Sequence, residues 1–197
     1  MEKTLKSENI PIAISAIIND SSTTRNQKIA DLLPIIAQVE ELDAATFKSI
    51  DSRIKGTYGS EYLISQGDYQ PIIEFYQFLN QKFPDLADVL LSLGDIYLLA
   101  KQYSNSFDAF NKAFYKHPLL LFEAPGELGD YIEKYGSDSQ KIYYRISLLR
   151  ALFLDESFDE AKEEYQDIIK SYGENNEVIK EYLQEPKMQA EISLLLD

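Results

Sequence analysis

Apolar residues return every three or four positions along nearly the whole chain, and hardly any stretch sustains a period of two. That pattern predicts an all-α protein. A first helix is expected over roughly residues 8–19, and Ser21-Ser22-Thr23-Thr24 offers N-cap oxygens for a second that runs to about Leu42. Pro34 lies inside that second segment. It must either kink the helix or begin a new one capped by Asp31, because proline brings no donor to the backbone ladder and clashes with the preceding turn. Asp43 can cap a third helix through Phe47 and Ile50.

From Arg53 the pattern acquires a longer period. Ser65-Gln66-Gly67-Asp68-Tyr69 reads as a turn between two helices, with Gly67 free to take a positive φ and Tyr69 packing back across the corner. Ile72, Tyr76 and Leu79 then stripe a second helix that ends at Pro84. A second unit opens at Ala87, 34 residues after Arg53. Leu90, Leu93, Gly94 and Tyr97 share one face of its first helix, Phe110 and Ala113 share one face of its second, and Pro118 closes it. A third unit begins near Ile142, with Leu148, Leu149 and Leu152 on the first helix, Phe158 in the turn, and Ala161, Tyr165 and Ile168 on the second.

Residues 119–141 are an insertion between the second and third units. It holds Pro125-Gly126, an amphipathic piece with Leu128, Tyr131 and Ile132, and a Gly136-Ser137-Asp138-Ser139 turn, so an extra short helix is expected there. Beyond Gly173 the pattern gives a helix over about residues 176–184, a break at Pro186 and a last helix ending in Leu194-Leu195-Leu196. The expected organisation is one structural domain. It comprises an N-terminal extension (1–52), the units 53–86, 87–118 and 142–173 with the insertion, and capping helices over 174–197.

On these spacings the chain resembles the tetratricopeptide repeat family from Arg53 to Gly173, apart from the insertion. Departures from the family pattern are Gly56 at a usual large aromatic, Ser106 at a usual alanine and Leu149 at a usual small residue. The resemblance implies a right-handed solenoid of three helix pairs whose first helices line a concave groove. It places Ile54, Thr57, Glu61, Ile64 and Ser65 in that groove from the first unit. Asp88, Leu91, Asp95, Leu98 and Leu99 come from the second, and Tyr143, Ile146, Arg150, Phe153 and Leu154 from the third. Family members that grip a C-terminal carboxylate use Lys, Arg and Asn at such positions. Here most are apolar or acidic, which disfavours that use.

A groove with Leu91, Leu98, Ile146 and Leu154 at its base and Glu61, Asp88 and Asp95 at its rim suits an extended or helical peptide with apolar anchors and some positive charge. Each well-buried anchor contributes about 1.5–3 kcal/mol before ordering costs. A second reading has the insertion or the N-terminal helices filling the groove, which makes these side chains core. In outline the chain also resembles the small acidic chaperones of bacterial type III secretion, through Gln66-Gly67-Asp68-Tyr69 and Leu93-Gly94-Asp95-Ile96-Tyr97. That group generally lacks the insertion.

Charge narrows the partners. The chain has 197 residues, 45% of them apolar, and a formal charge of −14. Lys and Arg are scattered among carboxylates with no basic patch, so neither nucleic acid nor an anionic membrane surface is an expected partner. No cysteine is present, which fits a reducing compartment. Ile10–Ile18 is only about half a membrane span, and Glu2 and Glu8 spoil a secretory leader. The expected location is the cytoplasm.

Candidate chemistry is thin. The lone His117, ahead of Pro118, is placed to cap helix carbonyls rather than to serve as a base, since no motif sets a nucleophile beside it. No calcium-loop spacing occurs, and Gly126-Glu127-Leu128-Gly129 lacks the lysine of a phosphate cradle. The acidic run Asp155–Glu164 reads as a turn and a solvated face, with Glu160 and Glu164 a like-charged pair. The expectation is a non-enzymatic adaptor or chaperone with no cofactor and no metal. The competing expectation is a structural subunit that forms a dimer or larger assembly through Ile10–Ile18 and Leu32–Leu42.

Overall fold

A computed structural model describes residues 10–58, 69–186, 189–190 and 192–193. Among them the chain is all-helical, with no strand. The helices are α1 (Ile10–Ile18), α2 (Arg25–Ala37), α3 (Ala44–Tyr58), α4 (Gln70–Lys82), α5 (Ala87–Leu99), α6 (Tyr103–Lys116), the 3-10 helix η1 (Pro118–Glu123), α7 (Leu128–Tyr135), α8 (Asp138–Leu154), α9 (Phe158–Tyr172) and α10 (Glu177–Leu183). The chain divides into two compact units, Met1–Gln102 and Tyr103–Asp197, where repeat counting suggests a single domain. The boundary falls between the two helices that the repeat pattern pairs as its second unit.

In the first unit α1 packs on α2 and α3, α2 on α4, α3 on α5, and α4 on α5. Ile10, Ile14, Leu32, Ile36, Phe47, Ile50, Ile54, Phe75, Tyr76 and Leu79 are among its fully buried side chains, at three- and four-residue spacings that turn one stripe of each helix inward. Thr24 caps α2 by accepting the Gln27 N–H at 3.2 Å, and Asp43 caps α3 by accepting the Thr46 N–H at 2.8 Å. Helix C-termini that lack glycine find cations instead. Lys28 donates to the Ile18 carbonyl at 2.6 Å and Lys82 to the Ala37 carbonyl at 2.7 Å.

Two sequence boundaries move. α2 runs through Pro34 as one helix, so no new helix starts there, and Asp31 accepts from the Gln27 amide at 2.8 Å instead of acting as a cap. Arg53, where the repeat count begins, lies in the interior of α3 and bonds the Ser15 hydroxyl of α1. The Asp43 cap starts that helix nine residues before Arg53. The expected turn at Ser65–Asp68 and the C-terminal Leu194–Leu196 lie outside the described residues.

In the second unit α6 packs on α7, α8 and η1, and α8 also contacts η1, α7, α9 and α10. Ile142, Ile146, Leu149, Ala161, Ile168, Ile179 and Tyr182 form one apolar cluster. The insertion holds two elements where one short helix is expected, η1 and α7, and buries Leu120, Leu128 and Ile132. α8 starts at Asp138, four residues before Ile142, because Ser137 and Gln140 form a capping box. Arg145 grips Glu164 through two bonds of 2.7 and 3.1 Å, which ties α8 to α9.

Two helix ends share a conformation. Lys101 after α5 and Glu156 after α8 both take positive φ, 58° and 61°. In each case the next residue's N–H reaches back over the helix end, Gln102 to Tyr97 and Ser157 to Leu152, at 2.9 Å.

Candidate functional site

The groove positions expected on the first unit are not an open apolar floor. Ile54 is 0% exposed and Leu91 8%, while Leu98 and Leu99 are half-buried. Glu61 and Ile64 lie outside the described residues. The acids already have partners: Asp88 Oδ1 lies 3.4 Å from Lys48 Nζ, and Asp95 Oδ2 lies 3.0 Å from Lys55 Nζ. The two lysines stand seven residues apart, as do the two aspartates, two helical turns in each case, and the pairs climb in the same sense, so α3 and α5 run parallel.

Lys55 is the centre of a larger cluster. It also meets Asp51 at 3.0 Å and Ser92 Oγ at 3.3 Å, and Asp51 accepts the Tyr76 hydroxyl at 2.5 Å. Burial pulls the Lys55 pKa down, but the Asp95 and Asp51 carboxylates outweigh it and hold the ammonium above its usual range. Burial pushes the Asp95 carboxyl up, with Lys55 working against it. Asp95 Oδ1 is buried without a hydrogen-bond partner among the described residues, consistent with that upward push. Burial likewise drives the Tyr76 phenol well above its usual value. The cluster is a structural tie between α3, α4 and α5.

On the second unit, Ile146 is 3% exposed and belongs to the apolar cluster, Leu154 is 42% exposed, and Tyr143 and Arg150 are half-buried. Tyr143 lines a cavity of about 400 Å³ formed with Asp108, Asn111, Lys112, Tyr115 and Lys116 of α6 and Tyr182 of α10. Arg150 stands over the Tyr115 ring at 5.7 Å, with Nη1 3.5 Å from that residue's carbonyl oxygen. The three tyrosines touch edge to face around Tyr182, whose ring lies 6.3 Å from Tyr115 and 5.6 Å from Tyr143. Burial raises the Tyr182 pKa, so its phenol stays neutral across ordinary pH. Gln140 fixes Asp108 with a 2.8 Å bond, whereas Asn111 Oδ1 is buried with no partner among the described residues.

Sequence reasoning missed all of this cavity except Tyr143. Phe107, Phe110 and Phe114 mark the core face of α6, and Asp108, Asn111, Lys112, Tyr115 and Lys116 fall on the other stripe, which reads as solvated. What α8 and α10 contribute comes from tertiary packing. The exposed His117 gives its backbone N–H to the Ala113 carbonyl at 2.8 Å, and no side-chain cap bond is formed there. No protein-family model matches the chain, and no curated protein matches it in sequence.

Proposed function

We propose that the chain is a non-enzymatic protein-interaction module, an adaptor or chaperone, that holds an extended segment of a partner protein in the cavity between α6, α8 and α10. One observation carries this reading. A concavity of about 400 Å³ is walled by Tyr115, Tyr143 and Tyr182, with Asp108, Asn111, Lys112 and Lys116 as its polar lining. Apolar walls with a few convergent polar groups are the usual make-up of a binding site.

The finer fold proposal is a stack of tetratricopeptide-like helix pairs. Its support is local: the positive-φ turns at Lys101 and Glu156, and the position of Gly67, 34 residues before Lys101. The parallel run of α3 and α5 fits successive first helices of such pairs. A chaperone of the secretion type is the narrower form of the same proposal. Among the described residues no helix is long and apolar enough to cross a membrane; the cytoplasm is the proposed location, which a cysteine-free sequence fits. The competing assembly reading has little apolar surface on α1 to draw on, because Ile10, Ile14 and Ile18 are buried and Ile12 is the large exposed side chain there.

The test is a photo-crosslinking amino acid placed at Tyr115, with a control at the exposed Glu163 of α9. The reading expects one partner segment to be labelled from position 115 and not from 163. Equal labelling from both positions would move function off the cavity.

A further inference from the structure

We infer that Tyr103 and Tyr135 are an oxidative cross-linking site, at which the two rings join through a carbon–carbon bond that staples α6 to α7. Tyr103 opens α6 and Tyr135 closes α7. Their rings lie parallel, with centroids 4.3 Å apart and planes 3° from each other. Tyr131, one turn before Tyr135, stacks less closely, 5.8 Å from Tyr103 and 6.1 Å from Tyr135. An oxidant can reach this group, because Tyr131 and Tyr135 are exposed and Tyr103 is half-buried. The chain has no cysteine and no tryptophan. Tyrosine is therefore the side chain here that gives up one electron most readily, and no thiol intercepts the radical.

Loss of one electron and the phenolic proton from each ring leaves two phenoxyl radicals, whose spin lies on the oxygen and on the ring carbons ortho to it. In stacked rings the π lobes of those carbons point at one another, the approach from which a bond forms. The two ortho carbons join, and the hydrogen on each then leaves as a proton while each oxygen regains one. In sum two C–H bonds are broken and one C–C bond is made, and the two protons and two electrons removed convert one hydrogen peroxide into two waters. The joined rings must swing out of the stack, and Tyr135 has the room, since it is exposed and its helix stops at Gly136. Around the cavity the approach is wrong: Tyr182 meets Tyr115 and Tyr143 at 80° and 66°, so a ring edge faces a π face. The bond closes a covalent loop over residues 103–135, which holds α6, η1 and α7. Closing such a loop restricts the unfolded chain, as a disulfide does.

The test treats dilute full-length protein with hydrogen peroxide and a haem peroxidase, beside Tyr103→Phe, Tyr135→Phe and Tyr131→Phe. Phenylalanine keeps the stacked ring and removes the oxidisable hydroxyl, so all three variants should retain the far-UV circular dichroism of the parent. The expected product is a monomer that has lost two hydrogens and carries the blue fluorescence of dityrosine. Trypsin separates the three rings, since cleavage after Lys101, Lys112, Lys116, Lys134 and Lys141 puts Tyr103 in peptide 102–112, Tyr131 in 117–134 and Tyr135 in 135–141. Mass spectrometry should find 102–112 joined to 135–141 in the parent and in Tyr131→Phe, and in neither of the other two variants. The purified cross-linked monomer should unfold at a higher urea midpoint than the untreated protein. Equal dityrosine in Tyr135→Phe, a bond between other tyrosines, cross-links between molecules only, or no dityrosine at all would overturn the inference. An unshifted midpoint in a correctly cross-linked monomer would overturn the staple.

Discussion

Replacing Lys55 with Met removes the cation that Asp51 and Asp95 share among the described residues, while keeping the apolar length of the side chain. Taking one partner from a fully buried ion pair costs about 3–5 kcal/mol, because the remaining charge is stranded. Lys55 retains 36% side-chain exposure and Asp95 26%, so solvent screens the loss and the expected cost near neutral pH is about 2 kcal/mol. Lys48→Met is the internal control. Its partner Asp88 is paired from a side chain that is 50% exposed, and the cost there should stay within about 0.2–1 kcal/mol.

The pH profile separates electrostatics from packing. Lys55 has a folded pKa raised above its ordinary 10.5, so what it contributes is fully present below that value and fades as pH rises through the folded pKa. Asp95 has a folded pKa raised above its ordinary 3.8, so its own ionisation costs stability as pH climbs through the folded pKa, and Lys55 limits that cost. The penalty of Lys55→Met should therefore be small at about pH 4, full near neutrality and shrinking above about pH 10.5. Urea unfolding followed by far-UV circular dichroism reads it. A penalty that is flat with pH, or no larger than that of Lys48→Met, would refute the assignment of this cluster as an electrostatic tie.

Three further expectations concern stability. Glu156→Gly and Lys101→Gly should each stabilise by about 1 kcal/mol, because a β-carbon is strained at their positive φ; a loss of stability in both would count against the turn geometry. Gly136→Ala should destabilise by about 1–3 kcal/mol, since its β-carbon would fall 2.5 Å from the Ile132 carbonyl oxygen, the same oxygen that the Gly136 N–H bonds at 2.8 Å. Leu91→Glu and Ile146→Glu bury a carboxylate and should each cost at least about 3 kcal/mol, seen as a fall in melting temperature; unchanged melting would put these residues back on an open groove.

What was legible in the sequence is what short-range chemistry decides. Thr24 and Asp43 announce helix starts because one side-chain oxygen satisfies one nearby N–H, and the stripes Ile72/Tyr76/Leu79 and Phe110/Ala113 announce core because burial follows the helical period. The start of α8 was less clear, since the Ser137–Gln140 box competes with an apolar pattern that becomes strong only at Ile142. The first unit's repeat count began inside α3, because periodicity gives spacing without phase and the Asp43 cap supplies the phase. The site was hardest. Asn111, Lys112 and Tyr115 look like a solvated stripe until α8 and α10 bring Tyr143 and Tyr182 to face them, and Asp88 and Asp95 look like free acids until α3 brings its lysines alongside.

The two lysine–aspartate couples between α3 and α5 act as the teeth of a rack. A slide of α3 by one heptad in one direction sets Lys48 opposite Asp95 but carries Lys55 beyond the end of α5 at Leu99; in the other it sets Lys55 opposite Asp88 and carries Lys48 past the start of α5 at Ala87. Either displacement strands one lysine and one aspartate, whereas an apolar seam between two helices would tolerate the shift with comparable burial. Polar residues that look like decoration along that seam thus fix the alignment of two helices distant in the chain, and exchanging both couples for leucine should free α3 to slip even where it raises the melting temperature.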